Sequence, residues 1–150
     1  MQKIYNSWLA MAALALILFS NPSFAVDNPD APDLVAQFET REKPFIAAIE
    51  KPSNTTADYS VAYANYLKFL DKELNTIYKT LRTKIPEEKQ KQLKTSQINW
   101  IKYRDLEFTF IDNTWTHKNF GTSSAISRGQ YKAGVVRSRV VQLMGYSRAF

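Results

Sequence analysis

The side chains that most often carry catalysis are scarce in this chain. It has one histidine, His117, and no cysteine in 150 residues, which removes thiol nucleophiles, CxxC redox pairs, cysteine-ligated zinc and histidine-rich metal clusters. No Ser-His-Asp or metal-ligand spacing surrounds His117, so it does not read as a catalytic base. Carboxylates do occur close together, as in Asp105 and Glu107. Two residues apart on a helix they point to different sides, not at each other across a scissile bond. These residue types favour a non-enzymatic protein without metal or cofactor. The chemistry that remains is recognition by polar side chains set into apolar helix faces.

The clearest such setting is the stripe Leu93, Gln97, Trp100, Arg104, Phe108, Ile111 and Trp115, which recurs at steps of three and four residues. Gln97 and Arg104 are polar members of an otherwise apolar face. Burying an amide unpaired costs about 1–3 kcal/mol, and a guanidinium more, so both need partners. A second stripe upstream offers them: Asp71 and Asn75 flank Leu74 and share a face with Tyr78. Folding the two segments about Ile85 and Pro86 sets Asn75 opposite Gln97 and Asp71 one helical turn from Arg104. The expectation is a polar network of Asp71, Asn75, Gln97 and Arg104, with Asp105 ordering the arginine, that fixes the register of a helical hairpin.

The elements that must hold these residues are helical. Tyr63, Leu67, Leu70, Leu74, Ile77, Leu81 and Ile85 form one continuous apolar stripe. Thr55 with Asp58 three residues on is a capping-box-like start, and Pro86 with Glu87 and Glu88 opens the next helix. Leu34, Val35, Phe38, Phe45, Ile46 and Ile49 predict short N-terminal helical pieces, the second starting at Pro44. A last helix is built on Ile126, Ala133, Val136, Val140 and Leu143, capped by the Ser123-Ser124 pair. The fold class is all-α: a small bundle built on a long antiparallel hairpin, one further C-terminal helix and short N-terminal pieces. The segment after Trp115 holds the candidate partner-binding loop, His117, Asn119 and Phe120. There Phe120 either anchors a partner or folds back on the core.

Composition divides the chain further. Hydrophobic residues make up 45% overall, yet 17 of them fall in the first 25 positions. Lys3, the apolar run Trp8 to Phe19 and Ser23-Phe24-Ala25 have the layout of a secretory signal cut after Ala25. The run is too short for a bilayer core, which needs ~20 apolar residues, so no stable membrane insertion is expected after cleavage. Residues 1–25 are thus read as signal peptide, 26–33 as a flexible acidic leader with Asp27, Asp30 and Asp33, and 34–150 as one helical domain. Residues 26–60 carry a net −4 and residues 61–150 a net +9 within the total of +6. Lys84, Lys89, Lys91 and Lys94 gather near the helical turn, and Arg128, Lys132, Arg137, Arg139 and Arg148 mark the last helix. Export and the lack of a nucleic-acid motif argue against a nucleic-acid partner, and a solvated helix face is the expected role of these cations.

The strings Leu70-Asp71-Lys72-Glu73-Leu74-Asn75-Thr76-Ile77-Tyr78 and Gln97-Ile98-Asn99-Trp100-Ile101-Lys102-Tyr103-Arg104-Asp105 resemble the D-x-E-L-N-x-x-Y and Q-x-x-W-x-x-x-R-D signatures of the LprI-type lysozyme-inhibitor family. The resemblance covers about Tyr63 to Ile111, and more loosely the final helix with Arg139 and Leu143. Leu74, Tyr78 and Trp100 are then family-motif core positions. Members often carry a cysteine shortly after the R-D pair, where this chain has Phe108 and Phe110. The resemblance implies an all-helical, exported periplasmic protein that binds a protein partner such as lysozyme and inhibits it. The competing expectation is a non-inhibitory envelope interaction or structural module. Strongly basic lysozymes would repel a +5 mature chain unless it offered a local acidic face, for which the leader is the candidate.

Overall fold

A computed structural model describes residues 32–150. The proposed signal segment, and the leader as far as residue 31, lie outside the described residues. Five α-helices make up the rest: α1 Leu34–Ile49, α2 Thr56–Lys84, α3 Glu87–Thr114, the single turn α4 His117–Phe120, and α5 Ser124–Ser147, with a 3-10 turn Gly121–Ser123 before α5. No strand occurs among the described residues, and the all-α expectation holds. None of these helices is long and apolar enough to cross a membrane.

Local sequence sets the boundaries. Asp33 accepts from the Val35 and Ala36 backbone N–H groups at 3.1 and 3.0 Å and so caps α1. The Ala36 bond and the nearby Arg148 hold its carboxyl below the usual aspartate range. The last residue of the proposed leader is therefore a structural cap. The Thr55 capping box is present in both directions: Thr55 N donates to Asp58 Oδ2 at 2.9 Å and Asp58 N to Thr55 Oγ1 at 3.2 Å. Asn54 Nδ2 closes α1 by donating to the Ala48 and Ile49 carbonyls at 2.8 and 3.1 Å.

Pro44 does not begin a second piece, as the sequence suggested, but lies inside α1. Proline removes one N–H and crowds the carbonyl four residues back. Pro44 and Thr40 are both exposed, so the helix accommodates the ring on its outer side. Ser123 is the residue before α5, yet its hydroxyl donates to the Phe120 carbonyl at 2.7 Å instead of capping.

The helix directions follow from pairs of contacts. Arg137 and Arg148 of α5 reach Glu42 and Asp33, so α1 runs antiparallel to α5. Glu42 meets Tyr66 and Arg41 meets Glu73, so α1 is antiparallel to α2 as well, and α2 and α5 are parallel. Lys132 reaches Asp112 while Arg139 reaches Gln97, which makes α3 antiparallel to α5. The chain thus turns back at Ile85-Pro86 as expected, but α5, not α3, packs along α2. This corrects the hairpin as a packing unit. The reason is that α5 presents one unbroken buried stripe, Gly129, Ala133, Val136, Val140, Leu143 and Met144, and lays it along α2.

Leu70, Leu74, Ile77, Leu81 and Ile85 of the predicted α2 stripe are in the core, with Tyr63 and Leu67 at its margin. Phe38 is fully buried and begins an aromatic stack with Phe69, which in turn lies 4.4 Å from the Phe45 ring.

The cations of α5 are not a solvated face. Lys132 pairs with Asp112 at 2.7 Å, Arg128 approaches the same carboxylate at 3.7 Å, Arg137 takes Glu42 at 2.9 Å and Arg148 takes Asp33 at 3.3 Å. Each ties the central helix to α1 or α3. The expectation for these residues is overturned because their helix is inside the bundle and its neighbours bring the acids.

Candidate functional site

The sequence left the Glu42 cluster unseen. Glu42 is 4% exposed, accepts two hydrogen bonds from Arg137 at 2.9 Å each, and takes a further one from the Tyr66 hydroxyl. Burial, and then the Glu42 bond, push the Tyr66 hydroxyl up, so it stays protonated and donates. The Glu42 bond likewise raises Arg137. Both Glu42 oxygens and the Tyr66 hydroxyl are bonded within the cluster, so the group is a structural clamp between α1, α2 and α5.

The signature residues of α3 assemble elsewhere than expected. Gln97 is buried, but it meets α5: Arg139 Nε donates to Gln97 Oε1 at 3.1 Å, Nη1 to Gln142 Oε1 at 2.6 Å and Nη2 to Ser96 Oγ at 3.2 Å. Trp100 lies half-buried with the guanidinium of Arg139 5.8 Å and that of Arg104 5.7 Å from its ring centre. Arg104 also stacks on Phe108 at 5.9 Å and donates twice to Asp105, at 2.9 and 2.7 Å.

The predicted network across α2 and α3 is therefore not formed. Asp71 and Asn75 are exposed, and Asn75 Nδ2 bonds the Asp71 carbonyl of its own helix at 2.8 Å. Of that network only the Arg104–Asp105 pair exists as foreseen. The register argument treated two helices as facing each other, and α5 occupies the face they would share. A double-mutant cycle on Asp71 and Arg104 is accordingly expected to show coupling near zero. The same cycle on Gln97 and Arg139 should couple by about 1–2 kcal/mol, read from denaturant midpoints. Leu74 is buried and Tyr78 half-buried, as core positions should be. Glu73, the second acid of the first string, reaches Arg41 of α1 at 2.7 Å.

Between α3 and α5 lies an open groove of about 750 Å³, lined by Trp100 and Tyr103 of α3 and by Tyr131, Gly134, Arg139 and Gln142 of α5. The outer face of α3 continues it with exposed apolar side chains, Leu106 at 71% and Phe110 at 61%.

At the bundle end Phe110, Trp115 and Tyr131 make an aromatic series, with Phe110 edge-on to Trp115 and the rings of Trp115 and Tyr131 4.3 Å apart. The loop expected there is instead the α4 turn followed by a 3-10 turn. Thr116 caps it by accepting from Asn119 N at 3.3 Å. Gly121 makes the reversal at φ +60°, where a side chain would be strained. Phe120 does not fold back: it is 49% exposed, and His117 and Asn119 are exposed beside it. The corner from Thr116 to Ser124 is convex, tipped by an aromatic ring, and contains no acid.

No group of three or more acidic or histidine side chains that could hold a metal occurs among the described residues. Residues 48–143, close to two-thirds of the chain, match the family model described as Lysozyme inhibitor LprI. No curated protein and no solved structure matches the chain.

Proposed function

We propose, from the premise that the chain belongs to the LprI family of lysozyme inhibitors, that it is an exported periplasmic protein that binds and inhibits lysozyme or a related wall-degrading hydrolase. The observation that carries this reading is the family match, which takes in α2, α3, α4 and most of α5. Export rests on the layout of residues 1–25.

The α4 corner is the element suited to the task. A glycosidase cleft is concave and flanked by carboxylates. The corner offers a convex surface with Phe120 as anchor, His117 and Asn119 as hydrogen-bonding groups and Lys118 as its only fixed charge. A basic enzyme still has an acidic cleft, so the local charge there favours approach where the net charges repel. The +9 of residues 61–150 is the observation that favours the second reading, an envelope module for a different protein partner.

The test is titration of the purified protein against several lysozymes, animal and phage, following lysis of cell walls. Inhibition is expected for at least one enzyme. Phe120→Ala should weaken it by about tenfold to a hundredfold, the loss of a central aromatic anchor, with an unchanged unfolding midpoint because the ring is half out of the fold. Absence of inhibition at micromolar excess over all of them would leave the interaction-module reading in its place.

A further inference from the structure

Arg139 stands apart from the other cations of α5. It is 5% exposed, and among the described residues no carboxylate pairs with it: its acceptors are the neutral oxygens of Gln97, Gln142 and Ser96 and the face of Trp100. Desolvation lowers its hold on its proton, with Tyr146 acting in the opposite sense and no carboxylate doing so. A guanidinium has five N–H donors, of which these bonds take three. Burial of a charge without a counter-ion is costly, and a ligand that supplied the opposite charge would offset part of that cost. The remaining donors belong to a side chain that lines the α3–α5 groove, whose lining also includes Gly134, where an added Cβ would have no atom within 4 Å.

We propose that this groove is a receptor for an acidic side chain, aspartate or glutamate, on a protruding segment of a partner polypeptide, with Arg139 as its counter-ion. Charge complementarity selects the carboxylate. Shape selects a protruding segment, because a concave groove cannot engage carboxylates that are themselves at the bottom of an enzyme cleft. The walls fit a peptide: Trp100, Tyr103 and Tyr131 supply apolar and aromatic surface, and the amides of Gln130 and Gln142 supply donors and acceptors for peptide groups. The site is distinct from the α4 corner, so the proposal stands whether or not the protein inhibits lysozyme.

The test follows the Arg139 Nε–H and Trp100 indole N–H signals by NMR while the protein is titrated with acetyl-Gly-Glu-Tyr-Gly amide, its Gln counterpart, and N-acetylmuramic acid as a glycan-borne carboxylate. Saturable shifts of both signals with the Glu peptide, at a Kd of about 1 mM or tighter, and binding at least about tenfold weaker for the Gln peptide are expected. Gly134→Phe should abolish these shifts while the unfolding midpoint stays close to that of the unaltered protein, since its ring enters open groove. Arg139→Gln should abolish them too, and if that variant fails to fold, Gly134→Phe decides. Equal binding of the two peptides, no saturable shift with either, or tighter binding of N-acetylmuramic acid would each overturn the proposal.

Discussion

Arg137→Met should lower the folding free energy by about 3–5 kcal/mol, seen as a fall in the urea midpoint with little change in slope. The size comes from what the substitution leaves behind. The Glu42 side chain is 6% exposed, against 38% for Arg137. Without Arg137 the carboxylate keeps only the Tyr66 hydroxyl as a donor and cannot turn to water. Glu42→Leu is expected to cost less, about 1–3 kcal/mol, because the guanidinium it frees is partly solvated already and has Glu39 at 3.5 Å to turn to. The triple replacement Glu42→Leu, Tyr66→Phe, Arg137→Met removes every member of the cluster at once, and should recover most of the loss. Equal losses for the two single variants would show that the pair acts as an exposed ion pair and not as a buried one.

That cluster marks the limit of what could be read from the chain. The α2 stripe was legible because helical periodicity is local: a residue's side of the helix follows from spacing alone, and Leu70, Leu74, Ile77 and Leu81 all point inward. The α3 stripe was legible in the same sense, since Gln97 and Ile111 are buried and Trp100 and Arg104 lie at the margin. Partners are not local. Gln97 meets a side chain 42 positions away and Glu42 one 95 positions away. Nothing in either string says which helix will lie opposite.

The short connection at Ile85-Pro86 made α3 the natural partner of α2, and it does reverse the chain. The long apolar stripe of α5, from Ala133 through Val136 and Val140 to Leu143, was the signal that a third helix would win that position. In the sequence it was masked by the five cations spread along the same helix. These cations looked like a surface face, yet all but Arg139 reach acids on the neighbouring helices, their long stems spanning the distance. The Phe120 corner escaped for a related reason. Its helical turn depends on the Thr116 cap and on Gly121 at a left-handed φ, which direct the ring outward.

The insertion of α5 against α2 rests on one absent side chain, and this gives the second large effect. A Cβ added at Gly129 would stand 2.5 Å from Cγ, 2.6 Å from Cβ and 2.8 Å from Cδ2 of Tyr63. These atoms are the root of the tyrosine side chain, not its movable end, so relief requires α2 and α5 to part. Alanine in place of a helical glycine would otherwise stabilise by about 1 kcal/mol. Overpacking of a core contact costs about 1–3 kcal/mol and can exceed that. Because the clash is with three carbons at once, Gly129→Ala is expected to lose about 2 kcal/mol net, and Gly129→Val more. Gly145, also in α5, has nothing within 4 Å of an added Cβ. Gly145→Ala should therefore gain about 0.5–1 kcal/mol by helix propensity alone. Opposite signs for the same substitution on one helix separate packing from propensity. Repeating Gly129→Ala in a Tyr63→Ala background completes the argument. With the obstructing carbons gone, the substitution should turn neutral or stabilising, and an undiminished loss there would mean that Gly129 is needed for something other than the approach of α2.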